Sequence, residues 1–237
     1  MPETLDRCNR ALAALYPLPA CVPARVLEAG GGSHSHFALP EGAGLYALDI
    51  SHGQLARNAS TPWRIQADLH AIPVNPGSFG VVICFNVVEH VDAPATALRE
   101  MANCLAAGGV LVLGCPVRSS LKGLVTRLTP LWFHRWYYRS IVGKRDRGEG
   151  HYDAFATPFR AEISIARLNR QLDELGFRCV FNRAYDGSAE YQLVTGSLRR
   201  RLVGLPYYGA CLLGRLLTLG RWRPERSDLL IVAIKER

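Results

Sequence analysis

Residues 26–33 read V-L-E-A-G-G-G-S, and this stretch constrains the fold more than any other. Arg25 to Leu27 is read as the end of a short buried strand, followed by an acid and three successive glycines. Ser33-His34-Ser35-His36-Phe37 can then open a helix. Strand, glycine loop and helix in that order let a ligand lie against bare backbone. The free N–H groups of the helix end would point at its anionic part.

The flanking sequence repeats the alternation of strand and helix. Glu3 to Tyr16 has a helical apolar spacing that stops at Pro17. Gly44 to Asp49 is a second apolar strand, and Ser51 can cap a helix running to about Asn58. Trp63 to Gln66 is a third strand. Phe79 to Phe85 is a continuous apolar run, as expected of a strand buried on both faces. Pro94 to Leu105 reads as helix, Gly108-Gly109 as a turn, and Val110 to Leu113 as a fifth strand. Ile163 to Leu175 is helical with Gly176 as its cap, and Phe177–Phe181 and Leu229–Lys235 complete a set of seven strands. The expected fold class is α/β, an open sheet with helices on both faces and the ligand at the carboxyl ends of the strands. The chain is read as one domain over 1–237, with cap-like insertions at about 118–162 and 195–226.

Charge separates these insertions from the body. The net charge is +8, yet residues 118–147 hold eight Lys/Arg against one acid and residues 195–226 hold seven Arg against one. The remainder is therefore acidic, at −5. Ser119 to Ser140, expected as one or two helices broken at Pro130, also carries Trp132, Phe133, Trp136, Tyr137 and Tyr138. Residues 202–220 are apolar apart from Arg215 but interrupted by Pro206 and glycines, which makes a poor membrane span. Arginines with Tyr207, Tyr208 and Trp222 fit a segment lying on an anionic membrane; a cap over the acceptor pocket or a homodimer contact are the other readings. The N-terminus lacks a basic-then-apolar signal pattern, and seven cysteines without a C-x-x-C pair argue against a disulfide framework or a zinc site. A cytoplasmic protein, peripheral to a membrane and without a metal, is the expectation.

Asp49 lies 21 residues beyond Glu28, at a strand end where a carboxylate can accept both hydroxyl hydrogens of a ribose. Asp68, just after the third strand, can accept from an exocyclic amine such as adenine N6. Loop, ribose acid and amine acid together describe an adenosine site. The motifs E-A-G-G-G-S, A-L-D-I-S, Q-A-D-L-H-A-I-P, F-G-V-V-I-C-F-N-V-V-E-H-V and A-A-G-G-V-L-V-L-G-C-P, in this order, resemble a class I S-adenosylmethionine-dependent methyltransferase. The resemblance implies a Rossmann-like sheet of seven strands with an antiparallel last strand, and S-adenosyl-L-methionine as cofactor. It places Glu28, Gly30 and Gly32 along the methionine half, Asp49 and Ile50 at the ribose, and Asp68 with the Leu69 backbone at adenine. Asn86 faces the amino-acid end through its main chain. Where the family often has a third glycine this chain has His34, which implies a looser approach of the loop.

Methyl transfer from a sulfonium needs a positioned acceptor and exclusion of water. A hydroxyl acceptor also has to lose a proton, a task suited to histidine. His90, at the exit of the fourth strand, and His151 are the catalytic candidates, with Tyr152 and Arg160 as acceptor contacts; loop anchoring is the competing role for each. The expected acceptor is a small molecule, apolar or lipid-linked, taken at a hydroxyl. A nucleotide or RNA methyltransferase, an NAD-binding oxidoreductase and a non-catalytic cofactor-binding module are the rivals. Nucleic acid is not expected, since the position after the fourth strand reads Asn86-Val87-Val88-Glu89 and the basic charge coincides with apolar runs. Ser35 stands where a dinucleotide fingerprint needs glycine.

Overall fold

A computed structural model describes residues 22–35, 42–130, 160–186 and 198–236, the side chains of 199, 200 and 203 excepted, with positions 10, 37, 39 and 132 isolated. The strands are β1 (Arg25–Ala29), β2 (Gly44–Asp49), β3 (Trp63–Gln66), β4 (Phe79–Phe85), β5 (Leu105–Pro116), β6 (Phe177–Asp186) and β7 (Arg226–Lys235). They form one mixed sheet in the order β3-β2-β1-β4-β5-β7-β6, with β7 antiparallel to both β5 and β6. β1 pairs in parallel with β2 on one side and β4 on the other, so the order of strands reverses there. A crevice opens at such a switch, outside the carboxyl ends of the strands.

The period of two along each strand divides the core. Leu27, Val82, Cys84, Leu111, Leu113 and Ile231 face one side, where Leu98 and Met101 of helix α2 (Pro94–Cys104) and Leu168 and Leu172 of α4 (Ile165–Glu174) pack against them. Val26, Val81, Ile83, Val112 and Leu230 face the other, against Phe37, Leu39 and Leu45. Helix α1 (His52–Arg57) starts at Ser51, whose Oγ accepts from the Gln54 N–H, and ends at Asn58. Helix α3 (Leu121–Leu128) follows β5, and α5 (Leu198–Leu217) fills the connection from β6 to β7.

Three expectations need correction. No helix opens at Ser33: residues 33–35, 37 and 39 are non-helical, because the chain there is tied to the segment after α1. Gly108-Gly109 does not separate helix from strand; β5 begins at Leu105, and its pairing with β4 shifts register between Phe79 and Val81 around Gly108, whose φ is +76°. Residues 198–217 form one helix despite Pro206 and its glycines. The expected helix over 3–16 (position 10 excepted), residues 131 and 133–140, and the whole of 143–150 lie outside the described residues.

Candidate functional site

The glycine loop is held by its neighbours rather than by a helix end. Gly30 and Gly31 both donate their N–H groups to the Leu48 carbonyl, at 2.7 and 2.9 Å, and Gly32 donates to Asp49 Oδ2 at 3.0 Å. From the outer side, Asn58 Nδ2 donates to the Gly32 carbonyl at 2.9 Å, and Ser60 Oγ accepts from the Ser35 N–H and meets His34 Nδ1 at 3.1 Å. The loop's three N–H groups are therefore already satisfied, and an anion cradle of the expected kind is not what it offers. His34 is part of this anchor.

Two of the glycines are required for different reasons. Gly30 has φ +79°, and a Cβ there would stand 2.3 Å from Val87 Cγ2. Gly32 has φ +51° with open space above it, Asp49 Oδ2 at 4.0 Å being the nearest atom. Bare backbone is thus presented at Gly32, beside the Asp49 carboxylate. Asp49 Oδ1 accepts from the Ser51 N–H at 2.8 Å, so both oxygens are oriented while further lone pairs stay free. Ile50, next along, leaves 65% of its surface exposed.

Glu28 lies at the end of β1 on the same face as Val26, only 6% exposed. Among the described residues its Oε2 has no hydrogen-bond partner. Burial raises its pKa to about 7, against the smaller opposing effect of a hydrogen bond from Ser35. A buried carboxyl in this condition can take a cationic or donor group from outside.

At the exit of β3, Asp68 Oδ1 accepts from the His70 N–H at 2.9 Å and meets His70 Nδ1 at 2.6 Å. His70 Nε2 accepts from the Ala93 N–H at 3.1 Å. That last bond requires a lone pair on Nε2, so the proton sits on Nδ1 and is donated to Asp68. The backbone hydrogen bond from His70 is the main reason the Asp68 carboxyl titrates below its usual range. Leu69 is buried in the core. His70 was not singled out in the sequence, although its place two residues after an acid, in a short loop, could have marked it.

β4 is followed by Asn86, a non-glycine residue at φ +56°, whose N–H donates to the Gly114 carbonyl at 2.8 Å. Phe85 fills the space over Gly114, where a Cβ would come within 2.2 Å of its ring. Such backbone strain at a strand end is commonest at functional sites. The turn that follows brings His90 Nε2 to 3.8 Å from Glu89 Oε1. Glu89 itself is 3% exposed, with Oε2 unpartnered and a pKa pushed up to about 8, chiefly by burial and further by the Asp228 carboxylate. The sequence places Glu89 beside His90 at the exit of β4, but its burial there has no signal in the sequence.

The acceptor-side candidates are only partly described. Arg160 Nη2 donates to Asp92 Oδ1 at 2.8 Å, joining the segment after β4 to a 3-10 turn at Ala161–Ile163. His151 and Tyr152 lie outside the described residues. Beyond the end of β5, a cleft of about 480 Å³ is lined by Arg118, Leu124, Arg127, Ile165 and Trp222, and by none of the adenosine-site candidates.

Comparison with known proteins fits this geometry. A methyltransferase-domain family model matches residues 27–113, which run from β1 to β5. A malonyl-[acyl-carrier protein] O-methyltransferase of Enterobacter lignolyticus is 34% identical over 47% of this chain and 47% of its own, so the chain spans about half of that relative. A ubiquinone biosynthesis O-methyltransferase of Xanthomonas campestris is 35% identical over 69% of this chain and 68% of its own length. Among solved structures, a SAM-dependent methyltransferase from Archaeoglobus fulgidus superposes with a TM-score of 0.55, covering 97% of this chain and 94% of that one at 16% identity. That last likeness speaks for the fold alone.

Proposed function

Because the chain belongs to the class I S-adenosylmethionine-dependent methyltransferases, we propose that it transfers a methyl group from that cofactor to an oxygen of a small apolar or lipid-linked acceptor. The observation that carries this is Glu28, a buried carboxyl with one oxygen unpartnered at the end of β1. An α-ammonium is the group it lacks. The other residues fit the rest of the cofactor: Gly30 shapes the turn and Gly32 presents bare backbone. Asp49 has lone pairs for the ribose hydroxyls, with exposed Ile50 beside it, and Asp68 with the Leu69 backbone faces adenine. The left-handed Asn86 turns its main chain toward the amino-acid end.

The cofactor supplies a methyl carbon made electrophilic by its sulfonium. What the chain supplies is position, water exclusion and a destination for the acceptor's proton. We assign that proton to His90 at the exit of β4, whose Nε2 lies 3.8 Å from Glu89 Oε1. His151 and Tyr152 belong to the same proposal, as does Arg160, which gives one guanidinium N–H to Asp92 and has others for an acceptor. The insertions at 118–162 and 195–226 would form the acceptor cover. Choice of oxygen is supported by the two relatives named above, both O-methyltransferases. An acceptor of this kind partitions into membranes, so a cytoplasmic enzyme that also meets a bilayer surface is part of the proposal. No helix among the described residues is long and apolar enough to cross one.

Calorimetric titration with S-adenosylhomocysteine and with NAD tests the cofactor. The first should bind and the second should not; a response to NAD alone would overturn the assignment. Asp49→Ala should weaken S-adenosylhomocysteine binding by about 1–3 kcal/mol, from the hydroxyls left unpaired in a largely enclosed site. It should also lower the melting temperature, since Gly32 and Ser51 lose their acceptor.

A further inference from the structure

Helix α5 is built inside out. Gly204, Cys211 and Gly214 face the body and are buried, with Tyr207 and Tyr208 half-buried between them. These positions recur at steps of three and four, which makes one stripe of a helix. Leu198, Leu202, Leu205, Leu212, Leu213 and Leu216 fall on the opposite side, and each leaves 58–75% of its surface in the open. A helix packed on a protein normally turns such residues inward.

The orientation is fixed from the body side. A Cβ on Gly214 would stand 2.7 Å from the Trp222 ring, so the helix sits closely on that side chain. Trp222 Nε1 donates to the Ser119 carbonyl at 2.7 Å, and the Leu121 N–H donates to the Pro224 carbonyl at 2.8 Å. The turn after α5 is thereby pinned to the connection between β5 and α3, and the leucine face cannot roll inward without breaking these contacts. A second observation comes from the helix end. Leu219 holds a left-handed backbone, φ +50°, where glycine is the favoured residue, and is 89% exposed. This left-handed turn closes the helix, the Gly220 N–H donating to the Arg215 carbonyl at 2.8 Å, and leaves one more apolar side chain outside.

Charge identifies what covers the face. Residues 198–224 contain arginines at 199, 200, 201, 215, 221 and 223 and no acid. We propose that this face lies on an anionic bilayer surface, with the leucines among the upper acyl chains and the arginines at the lipid phosphates. Twenty residues of helix give roughly 30 Å of contact along the plane of the membrane. A second copy of the chain suits the face less well. The antiparallel contact of a twofold dimer would set the arginines at one end of α5 against those at the other, with no carboxylate between them. The surface does not depend on the methyl-transfer assignment, because it would serve a chain that bound no cofactor.

Co-sedimentation of the full chain with vesicles, without cofactor, tests the proposal. Vesicles of phosphatidylcholine containing phosphatidylglycerol should pellet the protein, and pure phosphatidylcholine should bind it about tenfold or more weakly. Binding should fall as salt rises through the physiological range. The double variant L212E/L216E alters side chains that touch no core, so its melting temperature and its S-adenosylhomocysteine affinity should match the parent while anionic-vesicle binding drops about tenfold or more. Equal pelleting with both lipids, pelleting with neither, or unchanged binding by the double variant would each overturn it. So would sedimentation velocity showing a dimer that L212E/L216E dissociates, without vesicle binding; the face would then belong to a second copy.

Discussion

Glu28 holds a proton near neutrality that a bound ammonium would displace. Its pKa of about 7 follows from burial, and a cationic neighbour moves a carboxyl back toward its ordinary range. Binding of S-adenosylhomocysteine, which carries the same α-ammonium, should therefore release about half a proton at pH 7 and more below it, until the bound form itself protonates. Titrations in two buffers of different ionisation enthalpy measure this directly. The Glu28→Gln variant should bind with no such buffer dependence and with affinity lower by about 1–3 kcal/mol, the usual cost of losing a charge-assisted bond. Buffer-independent binding by the parent chain would mean that Glu28 faces some other group.

At the scale of single elements, α2 begins without a side-chain cap of its own, its N-cap being Ala93. His70 Nε2 instead accepts from the N–H of that N-cap residue across 23 residues of sequence, and its Nδ1 proton fixes Asp68 in turn. His70→Ala should cost about 1 kcal/mol, as loss of a helix cap commonly does, and lower the melting temperature by a few degrees. Affinity for S-adenosylhomocysteine should fall too, because Asp68 loses its orientation; an unchanged affinity would separate Asp68 from the adenine. This arrangement also marks how far sequence reaches. β2 and β4 were legible to the residue because each is a short apolar run stopped by an acid or a polar turn, and the alternating Trp63-Arg64-Ile65-Gln66 of β3 was placed as closely. The start at Ser33 was misread because serine after a glycine run has the local signature of a cap, while the bonds that decide its conformation come from Asn58 and Ser60. In α5, glycine and proline looked like breakers. Gly214 is instead the place where Trp222 needs room, a contact invisible before the chain is folded. The strand-end positions of the candidate acids Glu28, Asp49 and Asp68 were legible; the hydrogen bonds of Asn58 and His70 and the burial of Glu89 were not, since they depend on partners outside their own motifs.

For the whole molecule, two buried carboxyls set the dependence of stability on pH. Glu28 and Glu89 hold their protons up to about pH 7 and 8 in the folded chain, against an ordinary value of 4.5. Between those values the folded state binds more protons than the unfolded one, so their contribution is complete below the ordinary value and is lost as pH rises through 7 and 8. The ligand-free protein should accordingly lose several kcal/mol of stability between about pH 5 and pH 9, a steep slope for so few groups. Denaturant unfolding at a series of pH values measures it, and the Glu28→Gln/Glu89→Gln double variant should flatten the curve. A parent chain whose stability is level across that range would contradict the burial argument.

The placing of β7 between β5 and β6 has a consequence for how the chain comes to be folded in a cell. Residues 226–235 leave the ribosome after everything they pair with, yet they fill an interior slot, joining Val110–Pro116 on one side and Phe177–Asp186 on the other. Until they arrive, β6 has no neighbour in the sheet, and β5 presents an open hydrogen-bonding edge flanked by apolar faces. β6 and β7, two of the seven strands, must then wait for synthesis to pass residue 235 and close in one late step of long sequence separation, a slow kind of closure. Nascent chains stalled before Arg226 should be the ones that chaperones hold.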